Sequence, residues 1–215
     1  MYASKRNTVN KTDAKPKKTI NAQDVMDAAV GLLDSNRSVS TLSLREIARA
    51  AGIAPNTFYR HFRDVDDLTV AVIDQAGRSL RGVIRESRKL ATQEHGVIRG
   101  SVEAFMKQLD GKEGYLQVLV REMSTGPEPF RLAVDRELVF FEDELHDELE
   151  LVQKNTAVEV YKPALVAKAI TRLVFTMGAI AADVSAKERS ELTEQTIDMI
   201  RMIMVGAQTM GTKQT

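Results

Sequence analysis

The twenty residues from Ser43 to Phe62, SLREIARAAGIAPNTFYRHF, constrain this chain more than any other stretch. Ser43 followed three positions later by Glu46 is a capping box, in which hydroxyl and carboxylate satisfy two otherwise unpaired amides, so a helix starts at Leu44. Leu44, Ile47, Ala48 and Ala51 fall at i, i+3, i+4 and i+7 on one apolar stripe, leaving Arg45, Glu46 and Arg49 on the other side. Gly52 stops that helix, because glycine enters the left-handed region without steric cost. Ile53 plugs the turn. Pro55 suits the first position of a second helix, where its missing amide hydrogen is not needed, and this helix is expected over Pro55 to His61. Phe58 and Phe62, four apart, face inward. The whole reads as a helix-turn-helix, although two amphipathic helices joined at a glycine also occur in helical domains of other kinds.

The outward side chains supply the chemistry that duplex DNA requires. In a helix-turn-helix the second helix enters the major groove with its N-terminal residues leading. Asn56 can read adenine and Arg60 guanine through paired hydrogen bonds, whereas the hydroxyls of Thr57 and Tyr59 suit phosphate oxygens. Arg45, Pro55 and His61 complete the candidate DNA-binding set. Charge is placed to match. The chain is neutral overall, with 30 basic and 30 acidic residues, yet residues 1–63 hold eleven basic and five acidic side chains, leaving residues 64–215 at −6. A separated positive end is the electrostatic footprint of nucleic-acid binding, because each neutralised phosphate releases counterions. Much of it sits in Lys5, Arg6, Lys11, Lys15, Lys17 and Lys18, in a stretch too poor in apolar residues to fold alone. Residues 1–19 are read as a disordered basic arm able to lie along the DNA, with an idle tail as the alternative.

Over about residues 20 to 68 the sequence resembles the TetR family of transcriptional regulators: an entry helix at Val25 to Leu33, the stretch LSLREIARAAGIA, then TFYRHF. The resemblance implies an all-α, TetR-like fold. Residues 20–66 would form a three-helix DNA-binding domain, 67–210 a helical ligand-binding and dimerisation domain, and 211–215 a tail. It also implies that Thr57, Tyr59 and His61 hold phosphates while Asn56 and Arg60 read or flank bases. Two positions depart from the family pattern. Ala54 stands where a capping Ser or Thr is usual, and Val65 where a phosphate-binding Lys often opens the next helix. Within the family, SLREIARAAGIAPNTFYRHFRDVDDL most resembles repressors of unsaturated fatty-acid synthesis, which implies an acyl thioester of coenzyme A or acyl carrier protein as ligand.

Beyond Phe62, Asp64 is a good N-cap for a long helix reaching about Ala91, with an interruption expected near Gly77 or Gly82. Further helices are expected at His95 to Asp110, Tyr115 to Met123, Glu128 to Lys154, Pro163 to Val184 and Glu191 to Met210. The acidic face Glu142, Asp143, Glu144, Asp147 and Glu148 reads as a solvated surface. Gly178, Ala179, Ala181 and Ala182 permit close helix approach and Ile197, Ile200, Met204 and Ala207 form a facing stripe. In the family that pair makes the homodimer, which would present two recognition helices to a palindromic operator; the alternative is that both helices only close the core of one chain. Phe105, Leu109, Leu116, Val120, Phe130, Phe141, Phe175 and Met177 are the candidate lining of a small hydrophobic ligand, with Arg121 for an anionic head group. Plain core packing is the simpler account of each of them, because apolar stripes at helical spacing bury themselves with or without a cavity.

Other chemistry finds little support. With no cysteine there is neither a disulfide framework nor thiolate chemistry, in keeping with a cytoplasmic setting. His146, one turn from Glu142 and Glu150, is one nitrogen among carboxylates where a transition-metal site needs several N or S ligands. No metal, cofactor or catalytic motif is expected, so the chain is not read as an enzyme. The apolar stretch Leu173 to Ala182 falls short of the roughly 20 residues that span a bilayer, so no membrane association is expected. Two other functions stay open: a TetR-type regulator of efflux or catabolic genes with a different hydrophobic ligand, and a helical adaptor of the same fold that binds protein instead of DNA.

Overall fold

The computed structural model describes residues 20–33, 38–90, 94–109, 114–156 and 158–212; the basic arm and the last residues of the tail lie outside them. Among the described residues, regular structure is helical throughout. Helix α1 spans Ala22–Val30 and follows a capping box between Asn21 and Asp24, which starts it three residues before the expected Val25. A 3-10 turn over Val39–Thr41 leads into α2, Leu44–Ala50, and α3, Pro55–Phe58. Then come α4 Val65–Leu90, α5 Glu94–Leu109, α6 Tyr115–Thr125, α7 Glu128–Asn155, α8 Pro163–Ala182 and α9 Ala186–Gly211. The last begins five residues earlier than expected because Ser185 and Glu188 form a capping box that outweighs the polar composition of its first turns.

Two apolar cores share this framework. The N-terminal one gathers Val25, Ala29, Ile47 and Phe58, all without exposure, around Val39 and Phe62, and takes Leu68 and Val72 from the first turns of α4 and Val118 from α6. Each such side chain, fully buried, contributes about 1.5–3 kcal/mol. The larger core runs through α4 to α9 and centres on Phe105, Phe130, Leu119, Leu138 and Ile197. Helix α6 serves both, because Leu116, Leu119 and Val120 point into the larger core while Val118 points into the smaller.

Helix α4 is continuous over 26 residues, so the break expected at Gly77 or Gly82 does not occur. Gly77 has a packing reason instead: a Cβ there would collide with the Glu137 carboxylate of α7. The two helices are also laced by ion pairs. Arg81 bonds Glu137, Arg85 bonds Glu144 at 2.8 Å and Arg88 bonds Glu148 at 2.7 Å. Arg172 of α8 reaches Glu142 at 2.7 Å. The acidic face of α7 is therefore not simply solvated, since Glu142, Glu144 and Glu148 each hold a neighbouring helix.

Helix α8 corrects a second expectation. Its 20 residues, mean hydropathy 1.6 over the best window, are by length and composition enough to cross a membrane, although the stretch Leu173 to Ala182 alone is not. Here it packs against α7, α9, α6 and α5, with Ala167, Phe175, Gly178 and Ala181 turned into the core. Gly178 is required by that packing, because a Cβ would enter the Phe105 ring. Ile197, Ile200, Met204 and Ala207 of α9 are likewise buried within the protomer, so the stripe read as a dimer seam is spent on the core. Gly178→Ala is expected to lower unfolding stability by about 1–3 kcal/mol, the usual cost of overpacking a close-packed core, measured by urea denaturation.

Candidate nucleic-acid interface and ligand cavity

The helix-turn-helix is built from the bonds its sequence calls for. The Ser43 hydroxyl accepts from Glu46 N at 3.3 Å while the Glu46 carboxylate accepts from Ser43 N at 2.9 Å. Gly52 takes φ +67°, and the Ile53 amide donates back to the Ala48 carbonyl at 2.9 Å, closing the turn. Pro55 opens α3 and Ala54 makes no side-chain cap bond. Regular α3 ends at Phe58 rather than at His61. Arg60 N donates to Thr57 O and His61 N to Phe58 O, so the last turn is wound tighter, with partners three positions apart instead of four.

This short rod presents the expected face. Phe58 is fully buried and Phe62 nearly so, their rings 5.8 Å apart. Pro55, Asn56, Tyr59 and Arg60 are exposed, as is Arg45 on α2, while Thr57 and His61 are half-buried. Tyr59 leaves 60% of its surface to solvent, although its ring packs edge-on against Phe58 at 6.0 Å. Asp64 caps α4 by accepting from Asp67 N at 2.7 Å. Asp67 in turn accepts from the backbone amide and the guanidinium of Arg63, which hold its carboxyl below the ordinary carboxylate range. Val65, which replaces the familiar lysine, packs against the N-terminal core and offers no phosphate contact.

A residue that the sequence reading missed ties this unit to the larger domain. Glu122 on α6 is completely buried, and its Oε1 accepts from the Ser38 hydroxyl at 2.6 Å and from Val39 N at 3.2 Å, at the turn that feeds α2. Its Oε2 finds no hydrogen-bond partner. A few residues earlier on α6, the Tyr115 hydroxyl donates to Asp27 of α1 at 2.5 Å and accepts from Gln23 at 2.7 Å. The available signal was the position of Glu122 three and four residues after Leu119 and Val118, on their buried side of the helix, where a carboxylate needs an internal partner.

In the larger domain, α4, α5, α7, α8 and α9 border a half-open cavity of about 450 Å³. That lies within the range of small-molecule sites. Of the nine candidate ligand residues, Phe105, Phe141 and Phe175 line it, with ring centroids 5.2 and 5.1 Å apart around Phe175. Leu109, Leu116, Val120 and Phe130 are buried elsewhere in the core, and Met177 packs against it without reaching the cavity. Arg121 is not at this cavity. It borders a more polar cleft among α1, α4 and α6, beside Gln23, Asp27 and Tyr115. Helical spacing selects the buried side of a helix, whereas which buried residues meet empty space depends on how neighbouring helices cross. The basic side chain at the cavity is Arg88. His146 stands 3.3 Å from Glu150, and among the described residues no three His, Cys, Asp or Glu side chains gather as metal ligands.

Residues 25–72 match the profile of the bacterial regulatory proteins, tetR family. The chain carries a TetR-type DNA-binding domain. Beyond that domain the likeness is one of fold, and it runs over most of the chain. The fatty acid degradation regulator FadR from Bacillus halodurans superposes with a TM-score of 0.67 at 19% identity, covering 87% of this chain and 96% of that one. A TetR-family regulator from Syntrophomonas wolfei gives 0.71 at 13% identity, covering 86% and 94%. AibR, solved with isovaleryl coenzyme A and operator DNA, gives 0.62 at 13%, covering 83% and 97%. At these identities the likeness establishes the all-helical TetR-like fold.

Replacing Glu122 by Ala leaves the Ser38 hydroxyl and the Val39 amide without their buried acceptor, and each lost bond of this kind costs about 1–3 kcal/mol. Hydrogen exchange at the Val39 amide should quicken selectively.

Proposed function

We propose that this TetR-type regulator is a homodimeric repressor of lipid-synthesis genes whose operator affinity is set by a long-chain acyl thioester. The observation that carries its DNA-binding part is the exposed rod Asn56 to Arg60, held by buried Phe58 and Phe62 on a rigid three-helix core. Arg45, Pro55, Asn56, Thr57, Tyr59, Arg60 and His61 are the contacts, with phosphates on the hydroxyls and bases facing Asn56 and Arg60. The acyl part is supported by the apolar cavity ringed by Phe105, Phe141 and Phe175, and by structural likeness to a fatty-acid regulator and to a protein that binds an acyl coenzyme A.

Dimerisation uses α8 and α9, through side chains other than those the periodicity singled out. Leu165 and Ile180 on α8 and Met202, Val205 and Met210 on α9 are each about half or more exposed, a concentration of large apolar groups on two helices that otherwise serve the core. A second copy covers them, and the pair then presents its recognition helices to successive major grooves, about 34 to 36 Å apart. Helix α4 links sensing to DNA: Ile84 and Arg88 border the cavity, and its first turns belong to the DNA-binding core. A ligand that fits one arrangement of α4 better shifts the population toward it and changes operator affinity by its differential affinity for the two states.

A mobility-shift assay on the gene's own upstream region, with and without long-chain acyl coenzyme A, tests the reading. Binding altered by the acyl compound supports it. Binding indifferent to the compound points to regulation of efflux or catabolic genes by another ligand, and no binding at low salt points to an adaptor that contacts protein.

Two substitutions test the parts. Tyr59→Ala and Arg60→Ala should each weaken operator binding by about tenfold or more, the size of one or two lost charge-assisted or hydrogen-bonded contacts, while the melting temperature hardly moves. Met202→Glu combined with Val205→Glu should yield a folded monomer by sedimentation and abolish tight operator binding.

A further inference from the structure

The cavity among α4, α5, α7, α8 and α9 has two unlike ends. Its interior is aromatic and aliphatic, with Phe105 and Phe175 essentially inaccessible to solvent. Its polar edge is formed by Arg88, Ser101 and Glu148, where the Arg88 guanidinium donates to Glu148 Oε1 at 2.7 Å and to the Ser101 hydroxyl at 3.3 Å. The two charged partners are held differently. The Arg88 side chain is 20% exposed and borders the cavity, whereas that of Glu148 is 42% exposed. Glu148 can turn out to water at small cost, since ion pairs with half-exposed members are weak. Arg88 has less freedom, because burial holds more of its side chain at the rim.

We propose that Arg88 is the head-group site of this cavity. It takes an amphiphile with a hydrocarbon tail among the phenylalanines and an anionic oxygen group, carboxylate or phosphate, that replaces Glu148 on the guanidinium. The inference rests on the cavity being the ligand site and adds the charge of the ligand and the side chain that reads it. The exchange keeps Arg88 neutralised, so entry of the head group leaves no buried charge unpaired. It also removes one of the ion pairs between α4 and α7, next to Arg85–Glu144 and Arg81–Glu137, and so loosens the helix that carries the DNA-binding core. Arg121, the basic residue that the sequence brought forward, has no part in this, because it borders the separate cleft beside α1.

Calorimetric titration of the full chain with decanoate, decanol and decanoyl coenzyme A, on the unaltered protein and on Arg88→Gln and Glu148→Gln, decides the matter. Decanoate should bind more tightly than decanol. Arg88→Gln should weaken decanoate about tenfold, the worth of one charge-assisted hydrogen bond, and Glu148→Gln should tighten it several-fold, with decanol indifferent to both changes. If only the coenzyme A thioester shows the dependence on Arg88, the anion is a phosphate and the assignment of Arg88 stands. Equal binding of decanoate and decanol, unaffected by Arg88→Gln, overturns the head-group site while leaving the cavity as a hydrophobic ligand site. Binding of none of the three compounds overturns both together.

Discussion

The structure depends on one helix belonging to two cores at once. Helix α4 is continuous over 26 residues, about 39 Å at the standard rise, and it buries Leu68 and Val72 among the DNA-binding helices and Ile73, Leu80 and Ile84 in the larger domain. With no break in the helix at the boundary, its orientation is shared by the two cores. Gly77 allows α7 to come close, and the buried Arg81–Glu137 ion pair fixes the register of the two helices, with the more exposed pairs of Arg85 and Arg88 further along the contact. Helix α6 is a second connection. Its Val118, Tyr115 and Glu122 reach respectively the N-terminal core, α1 and the turn before α2. The orientation of the recognition rod is therefore set from two sides.

That arrangement sets the exposed rod and the cavity apart in space yet joins them through packed helices. The rod needs an exposed polar face on a rigid base, which Phe58 and Phe62 provide. The cavity needs packing that leaves room, and its wall includes residues of the same α4 and α7 that pack against each other. Phe141 shows the overlap directly, since it faces the cavity while the Arg81 guanidinium lies 5.4 Å from its ring centroid. Interfaces of this kind favour discrete alternatives over continuous deformation, because close-packed side chains transmit small shifts.

Legibility in the sequence followed the range of the forces involved. The capping box at Ser43, the stop at Gly52 and the proline start at Pro55 act within a few residues and were readable as such. The extent of α3 was not, because the tightening after Phe58 goes with the burial of Phe58 and Phe62 in a core that includes distant α1 and α6. The supposed dimer stripe on α9 had the right period and the wrong destination. Periodicity identifies a buried face without saying whether the cover is the same chain or a second copy. Arg121 and Arg88 differ in the same way: both sit on amphipathic helices, and only the crossing of α4 with α5 and α7 brings Arg88 to the cavity.

By itself the sequence determined the helical class, the helix-turn-helix with its outward Asn56, Thr57, Tyr59 and Arg60, and the basic N-terminal end, because hydrogen-bonded caps, backbone dihedrals and side-chain period are local properties. Only the tertiary structure decided which phenylalanines surround empty space, which apolar residues of α8 and α9 remain uncovered, and that Glu122 and Arg88 stand at the two junctions. Those outcomes depend on how whole helices cross and on what lies opposite each side chain. No spacing along a single chain encodes that distance.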